Sequence, residues 1–409
     1  MAKVLVIGSG AREHALAQTF LKSPQVTDVF CAPGNPGMVR DNIQTIDIAE
    51  LDFDGLVEFA KDKLIDLTFV GPEVPLAKGV VDAFEAAGLT VFGPNKDAAR
   101  LESDKDFAKH FMLLNGIPTA QFGSFTDSAT ALKFATKLGF PVVVKQIGLA
   151  AGKGVAIVNN QTDLEAAVND AISKDGRVLL EEFIEGEEFS MMVLLGKNDR
   201  VIFPVSQDHK KIFAGDKGPN TGGMGAYSPV PHIDDSLIRI TERTIVDPTI
   251  KGIKAQHLDF NGVIYIGCIL DHGVPKVIEY NLRFGDPETQ VLLPQLKSDF
   301  YQLTMDLIAG NPVRAEFQHD GFYLGVVVSA PGYPEKPEQS IPMPDLPKNV
   351  VFAGVQGTAN QLVSHGGRIF TIVDHADSLK NAQQKVYAEL AEIDLSKFYY
   401  REDIGYRDI

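Results

Sequence analysis

Cysteine is nearly absent: the 409 residues hold only Cys31 and Cys268, both in apolar, strand-like runs and without metal-ligand spacing. That excludes a disulfide framework or a cysteine-based zinc site, and fits structural thiols in a reducing compartment. No apolar run reaches the roughly 18 residues that a membrane-spanning helix needs. The chain opens on Ala2-Lys3-Val4-Leu5-Val6-Ile7-Gly8, a short strand rather than a secretion signal. A cytoplasmic protein without a membrane partner is expected. Positive charge is also scarce, with 38 Lys and Arg against 54 Asp and Glu and a net charge of −16. Nucleic acid is therefore disfavoured as a partner, and a phosphorylated ligand must be met by local cations and backbone N–H groups. Internal repeats and low-complexity runs are lacking too.

The remaining composition, 44% hydrophobic and 22% charged, is that of a soluble globular protein. The length predicts about two to four domains. Up to residue 100, short apolar strands (Val4–Ile7, Val29–Cys31, Leu67–Val70, Thr90–Phe92) alternate with helical patterns such as Phe53–Lys63 and Ala77–Ala87. That is an α/β sheet with crossover helices, which places ligand loops at the strand C-termini. The first such loop, Gly8-Ser9-Gly10-Ala11-Arg12-Glu13-His14, resembles a dinucleotide fingerprint but carries Glu13 where the third glycine belongs. No ribose-binding acid follows the second strand either. A helix starting near Ala11 still offers its N-terminus to a phosphate, so a mononucleotide or sugar-phosphate site stands beside plain turn glycines.

Ser103-Asp104-Lys105 carries helix N-cap chemistry, and Lys105 in the first turn points to an anion nearby or to a solvated lysine. Residues 121 to 186 then read as a compact unit. Strand Pro141–Lys145 leads into Gly148-Leu149-Ala150-Ala151-Gly152-Lys153-Gly154 and a second strand, Val155–Val158. This is no Walker A loop, because its glycines are one residue too close, no Ser or Thr follows Lys153, and a strand comes next. It suits a flap folding over phosphates, the alternative being a structural hairpin loop. The acidic run Glu181–Glu188 could read an adenine amino group and ribose hydroxyls, or be a solvated turn. Helices are expected at Ser236–Ile250 and Asp299–Ile308. The glycine-rich segment 218–229 is long enough to be functional and could hold a zwitterion or a phosphate. Gly366-Gly367-Arg368 reads more readily as a turn than as a phosphate contact.

The most informative stretch is Val277–Thr289, which follows the apolar strand Gly262–Leu270 and the turn Asp271-His272-Gly273. Alternation on a strand puts Glu279, Asn281 and Arg283 on one face and Ile278, Tyr280 and Leu282 on the other. A carboxylate beside an amide oxygen is a hard-donor pair suited to Mg²⁺, and a guanidinium two residues on suits a phosphoryl group.

In this order, Lys105, the flap, the acidic run and the Glu279/Asn281 pair resemble the ATP-grasp enzymes, and more narrowly the glycinamide ribonucleotide synthetase family. The matching motifs are Gly8–Ala15, Val70–Glu73, Gly148–Val155, Ser206–Lys210, Gly218–Pro229 and Asn281–Thr289. The resemblance implies a multidomain α/β ATP-grasp architecture. Its parts would be an N-terminal sugar-phosphate domain at 1–101, a central domain at 102–120 and 187–322, a mobile lid at 121–186 and a C-terminal domain at 323–409. It implies ATP with Mg²⁺ (or Mn²⁺), glycine and 5-phosphoribosylamine as small-molecule partners, and a monomer. It further implies that Lys105, Lys145, Gly148, Gly152, Lys153 and Gly154 meet the ATP phosphates. Glu181 and Ile184 would read adenine, Glu188 the ribose, and Glu279 and Asn281 would hold the metal. Gly10, Ala11, Arg12, Glu13 and Glu73 would take phosphoribosylamine. Asp208, Asn220, Thr221, Gly222, Gly223, Asp286 and Pro287 would line the glycine and acceptor region, with Arg283, Lys145 and Asp208 serving catalysis. The chain departs from the family pattern at Gln146-Ile147 for Ala-Asp, at Asp104 for Ser and at Ala11 for Gly. Rival readings are another ATP-grasp ligase or carboxylase, a nicotinamide dehydrogenase, and a non-catalytic nucleotide sensor.

Overall fold

The computed structural model describes residues 1–150 and 154–409. Strands β1 (Ala2–Gly8), β2 (Val26–Pro33), β3 (Gln44–Thr45), β4 (Leu67–Val70) and β5 (Val91–Phe92) form a parallel sheet in the order 3-2-1-4-5. Val4–Ile7 are fully buried because both faces of a parallel sheet are covered. The order reverses between β1 and β4, and ligands bind outside the carboxyl ends of the strands at such a switch point. Gly8–Glu13 and Gly71–Glu73 leave the sheet there. The helix expected over Ala77–Ala87 is instead Glu73–Lys78 followed by Val80–Ala86, separated by Gly79 at φ 94°.

Next come β6 (Phe122–Phe125), β7 (Val142–Gln146), β8 (Val155–Val158) and β9 (Val178–Glu182), an antiparallel sheet in the order 6-9-7-8. Helices Ser128–Leu138 and Gln161–Asp175 supply Ala131, Ala135, Leu164 and Val168 to a small core of its own against Val142, Val144 and Leu180.

The chain continues through β10 (Glu187–Leu195), β11 (Arg200–Ile202), β12 (Gln207–Asp208), the hairpin β13 (Lys211–Phe213) and β14 (Lys217–Asn220), β15 (Gly225–Ser228), β16 (Gly262–Asp271) and β17 (Val274–Asn281). The central sheet runs 11-10-16-17, and Thr119 bridges the outer edge of β17 at Val277. The hairpin turn His272-Gly273 has both residues at positive φ, 50° and 80°, the geometry that matches strand twist. A bulge opposite Gly267/Cys268 leaves Ile278 as the extra residue of β17. Val277 and Tyr280 therefore enter the core, while Ile278 stands with Glu279 on the open side. Strict alternation placed Ile278 on the wrong face, because a bulge resets the count.

The helix expected over Ser236–Ile250 is Asp235–Thr241, a π turn at Glu242–Val246, and Asp247–Ala255. Pro248 has no N–H for the α ladder, and the wider turn precedes it. The helix after Asp299 spans Phe300–Ala309, with the Asp299 side chain accepting from the Gln302 N–H.

The last strands are β18 (Phe322–Ser329), β19 (Val350–Phe352), the hairpin β20 (Val355–Thr358) and β21 (Gln361–Ser364), and β22 (Arg368–Ala376), followed by helix Leu379–Ala391. β20 and β21 pair only with each other, whereas β18, β19 and β22 do not make a separate sheet. The order is 12-15-18-22-19, with Gly225 opposite Val326 and Ser228 opposite Tyr323. Strands β12 and β15 thus belong by hydrogen bonding to the C-terminal sheet, while β13 and β14 pair only with each other.

Candidate active site

A cavity of about 900 Å³ lies where these units meet, and β17 contributes Glu279 and Asn281 to its wall. Burial works against ionisation of Glu279, but Lys210, Lys145, Lys105 and Arg283 more than offset it and hold the carboxyl below its usual range. An ionised carboxylate next to an amide oxygen is what a hard divalent cation takes. Among the described residues no group of three or more His, Cys, Asp and Glu could hold a metal ion, so a cation here would draw its remaining ligands from substrate phosphates and water. Asn281 Oδ1 accepts from Arg283 Nη2 at 3.1 Å.

At one end of the cavity three lysines converge. Helix Lys105–Leu114 starts from Asp104, whose side chain caps the Phe107 N–H and pairs with Arg177. The Asp that replaces the family's Ser therefore serves as N-cap. Lys105 Nζ donates to the Gly148 carbonyl at 2.8 Å, and its backbone N–H to the Ile147 carbonyl at 3.1 Å. Lys145, on β7, and Lys109, one turn beyond Lys105, each lie 2.8 Å from a different oxygen of Glu181. Burial pushes Lys109 down to about 8, with Glu181 opposing that shift. The Glu181 carboxylate is thus committed to lysines, and Ile184 also lies on the cavity wall. Glu188 Oε2 is 2.6 Å from Lys210 Nζ.

At the other end lies the switch point of the N-terminal sheet. Glu13 accepts from the Gly10 N–H at 2.7 Å and meets Arg12 Nε at 2.5 Å, while Arg12 Nη1 donates to the Phe284 carbonyl at 3.1 Å. A Cβ at Gly71 would lie 2.6 Å from Glu13 Cγ, so the side chain that breaks the dinucleotide fingerprint fills the space above both strand ends. Arg283 Nε lies 3.2 Å from Glu102 and 3.5 Å from Glu73. Burial acts first on Glu73 and opposes ionisation, but Arg283 and Arg12 hold it low; Glu102 stays raised by its burial. Arg368 reaches Asp286 Oδ2 at 3.1 Å and the Gly222 carbonyl at 2.8 Å, joining the C-terminal sheet to this wall.

Asp208 and Glu288 line the cavity with no Lys, Arg or His nitrogen within ion-pair distance among the described residues. Burial and then Asp208 push Glu288 up to about 7, and burial raises Asp208 as well.

Of the residues expected at the site, most line this one cavity. Ala11, Gly148, Gly223 and Pro287 do not. Ala11 is buried in the first turn of its helix, and Gly148 is tied through its carbonyl to Lys105 and through its N–H to Asp175. Gly223 packs against Pro287. Gly152 and Lys153 lie outside the described residues. Sequence reading passed over Lys109, Glu102 and Glu288, and it took Gly366-Gly367-Arg368 as a turn rather than a phosphate contact, although Arg368 lines the cavity. Lys109 had a signal, since i and i+4 share a helix face. Glu102 had none, as it accepts from the Leu282 N–H across 180 positions.

Family models cover almost all of the chain. They are Phosphoribosylglycinamide synthetase, N domain, at residues 2–102, its ATP-grasp (A) domain at 103–289 and its C domain at 323–407. The chain belongs to the phosphoribosylglycinamide synthetase family. It is 48% identical over 411 residues to the phosphoribosylamine–glycine ligase of Lactococcus lactis subsp. lactis, covering 100% of both chains. The ligase of Streptococcus pyogenes serotype M18 is 44% identical over 418 residues, covering 100% of this chain and 99% of its own. Among solved structures, the phosphoribosylamine–glycine ligase of Thermotoga maritima superposes with a TM-score of 0.85 at 32% identity, over 99% of this chain and 100% of that one. A biotin carboxylase from Campylobacter jejuni shares the fold, with a TM-score of 0.73 at 18% identity over 96% of this chain and 91% of its own. This member of the synthetase family is accordingly an ATP-grasp ligase.

Proposed function

We infer that this chain joins glycine to 5-phosphoribosylamine at the expense of ATP, giving glycinamide ribonucleotide, ADP and phosphate in purine biosynthesis. One observation carries the reading beyond family membership. A single cavity is walled by the Lys105/Lys145/Glu279/Asn281 set at one end and by Arg12, Glu73 and Arg368 at the other. The first set suits a nucleoside triphosphate, and the second a phosphorylated sugar.

In the mechanism we propose, the glycine carboxylate attacks the γ-phosphorus of ATP, and the bond to the β-γ bridging oxygen breaks. The products of this step are glycyl phosphate and bound ADP. The amine of phosphoribosylamine then attacks the glycyl carbonyl, phosphate departs, and the new amide sheds a proton. No protein nucleophile is needed, so catalysis consists of charge neutralisation and alignment. Lys145 and Arg283 face the transferring phosphoryl group, and Asp208 lies on the acceptor side. Glu279 and Asn281 would hold Mg²⁺, which supplies Lewis-acid neutralisation of phosphate charge when bound. The unit at 121–186 acts as a lid that keeps water from the acyl phosphate. The 1–101 unit carries the sugar phosphate, and the central and C-terminal parts complete the site.

We expect a monomeric, cytoplasmic enzyme acting on small molecules, without nucleic acid or membrane as a partner. No helix among the described residues is long and apolar enough to cross a membrane. The test is ADP release with ATP and Mg²⁺, with glycine and freshly made phosphoribosylamine added singly and together. Turnover that needs both acceptors supports the reading. Turnover with another carboxylate in place of glycine moves the function to a different ATP-grasp ligase.

A further inference from the structure

Residues 399–408 bear on the acceptor side of the site. Strand β12 and the residues after it alternate, with Asp208 and Lys210 lining the cavity and His209 fully buried on the opposite side. Thr221, also on the cavity wall, holds the Lys210 carbonyl through its N–H (2.7 Å) and its hydroxyl (2.8 Å).

The outer side of this segment is gripped by the C-terminal tail. Tyr399 Oη donates to the Ile212 carbonyl at 3.0 Å, and Arg401 Nη1 to the Lys211 carbonyl at 3.0 Å. Arg401 is completely buried, one of the largest fully buried side chains among the described residues. Its Nη1 also meets Asp216 at 2.9 Å, its Nε and Nη2 meet Asp403 at 2.8 Å, and Asp403 accepts from the Gly215 N–H at 2.7 Å. The Gly405 N–H donates to His209 Nε2 at 3.2 Å. Burial, then Arg407 and Arg401, push His209 down to about 3, so the ring is neutral and accepts at Nε2. Arg407 reaches Asp216 at 2.5 Å and the Asp208 carbonyl at 3.3 Å, and Tyr406 Oη is a third partner of Asp216 at 2.8 Å. The tail thus binds the backbone at 208, 211, 212 and 215, while the cavity-facing side chains at 208 and 210 make no hydrogen bond to it among the described residues, the Arg407 charge acting on Asp208 from a distance.

We propose that residues 399–408 form a clasp in which Arg401 and Arg407 are positioning residues for the acceptor subsites, aiming Asp208 and Lys210 into the cavity through Asp216. The proposal rests on the functional reading above, in which Asp208 lies beside glycine and the amine. Neither arginine side chain lines the cavity, so both act through the 208–216 segment. At the nucleotide end the tail touches none of Lys105, Lys109, Lys145 and Glu181, and it borders that end only through the Lys210–Glu188 pair, 2.6 Å apart. Loosening the clasp should therefore separate acceptor binding from ATP binding, which a general loss of stability would not do.

The experiment uses the full chain and steady-state ADP release, with ATP, glycine and phosphoribosylamine each varied in turn. Arg407→Ala should raise KM for glycine, for the amine or for both by ~10-fold, the size of one lost charge-assisted hydrogen bond, with KM for ATP within ~3-fold of wild type. Arg407→Lys, which can still pair with Asp216, should recover most of that loss. A folded Arg407→Ala enzyme with unchanged acceptor KM values, or with all three raised alike, overturns the clasp. If Arg407→Ala does not fold, Tyr399→Phe removes only the bond to Ile212 and should raise acceptor KM by ~3-fold in the same selective way; no selective change there overturns the proposal too. Should wild-type enzyme ignore glycine and use another carboxylate, the glycine reading fails, and the same KM comparison with that carboxylate still decides the clasp.

Discussion

Glu181 stands between Lys109 and Lys145, with one carboxylate oxygen 2.8 Å from each ammonium. All three groups are buried, and among the described residues Glu181 is the one carboxylate within ion-pair distance of either lysine. Replacing it by an amide leaves two like charges in a low-dielectric wall. Glu181→Gln should cost about 3 kcal/mol of stability and raise KM for ATP, as read by denaturant unfolding and ADP release. A variant as stable as wild type would show that the two ammonium groups are solvated rather than paired.

The metal assignment predicts a different signature. Glu279→Ala and Asn281→Ala should each lower kcat/KM by about 100-fold or more while melting within a few degrees of wild type. Titrating Mg²⁺ at fixed ATP should show a weakened metal dependence in both. Wild-type-like turnover of Glu279→Ala would remove the metal from this strand.

Stability should respond to pH through Glu288. Its folded pKa, raised to about 7 by burial and by Asp208, exceeds the ordinary value of 4.5. Between those values the folded state binds more protons than the unfolded one, so this group makes stability fall as pH rises, at up to about 1.4 kcal/mol per pH unit. Asp208, raised by burial, acts in the same direction. Urea midpoints from pH 5 to 7.5 should decline less steeply in Glu288→Gln than in wild type. Equal slopes would mean that Glu288 is ionised throughout.

Gly71 carries a steric prediction. A methyl group there runs into Glu13, which is itself held by Gly10 and Arg12. Gly71→Ala should raise KM for the phosphorylated sugar by ~10-fold or more, with little change for ATP, because a displaced Glu13 disturbs only the switch-point end. If KM for ATP rose as much, the two ends of the cavity would not be separate subsites.

Much of this site could be read from the chain because its chemistry is local. Glu279 and Asn281 sit two apart on a strand, and the sequence shows both the strand and its hairpin turn. The strand after the glycine loop, Val155–Val158, matches the rejection of a Walker A reading. Glu13 explains why the dinucleotide fingerprint fails, since its carboxylate takes the room that a third glycine would leave. Other features were hidden for physical reasons. The bulge that turns Ile278 outward exists only in the pairing of two strands, and it also leaves the Ile278 carbonyl 3.4 Å from Lys145 Nζ. Arg368 faces Asp286 because β22 lies two strands from β15, a relation that no window of sequence contains. Gln146-Ile147 departs from the family pattern without an evident cost, as Ile147 packs in the interior and its carbonyl receives the Lys105 N–H.

The sheet shared by β15 and β18 sets where this chain can be divided. A cut near residue 322 looks harmless on a map of family models, which end at 289 and resume at 323. In three dimensions it would strip Gly225–Ser228 of its neighbour and expose a row of unpaired N–H and C=O groups beside the acceptor residues. Such an edge recruits other chains, so a fragment ending there should aggregate rather than survive as a smaller ATP-binding protein. Genes that carry this architecture are thereby constrained to keep both halves together, or to supply the second half as a partner that restores the missing strand.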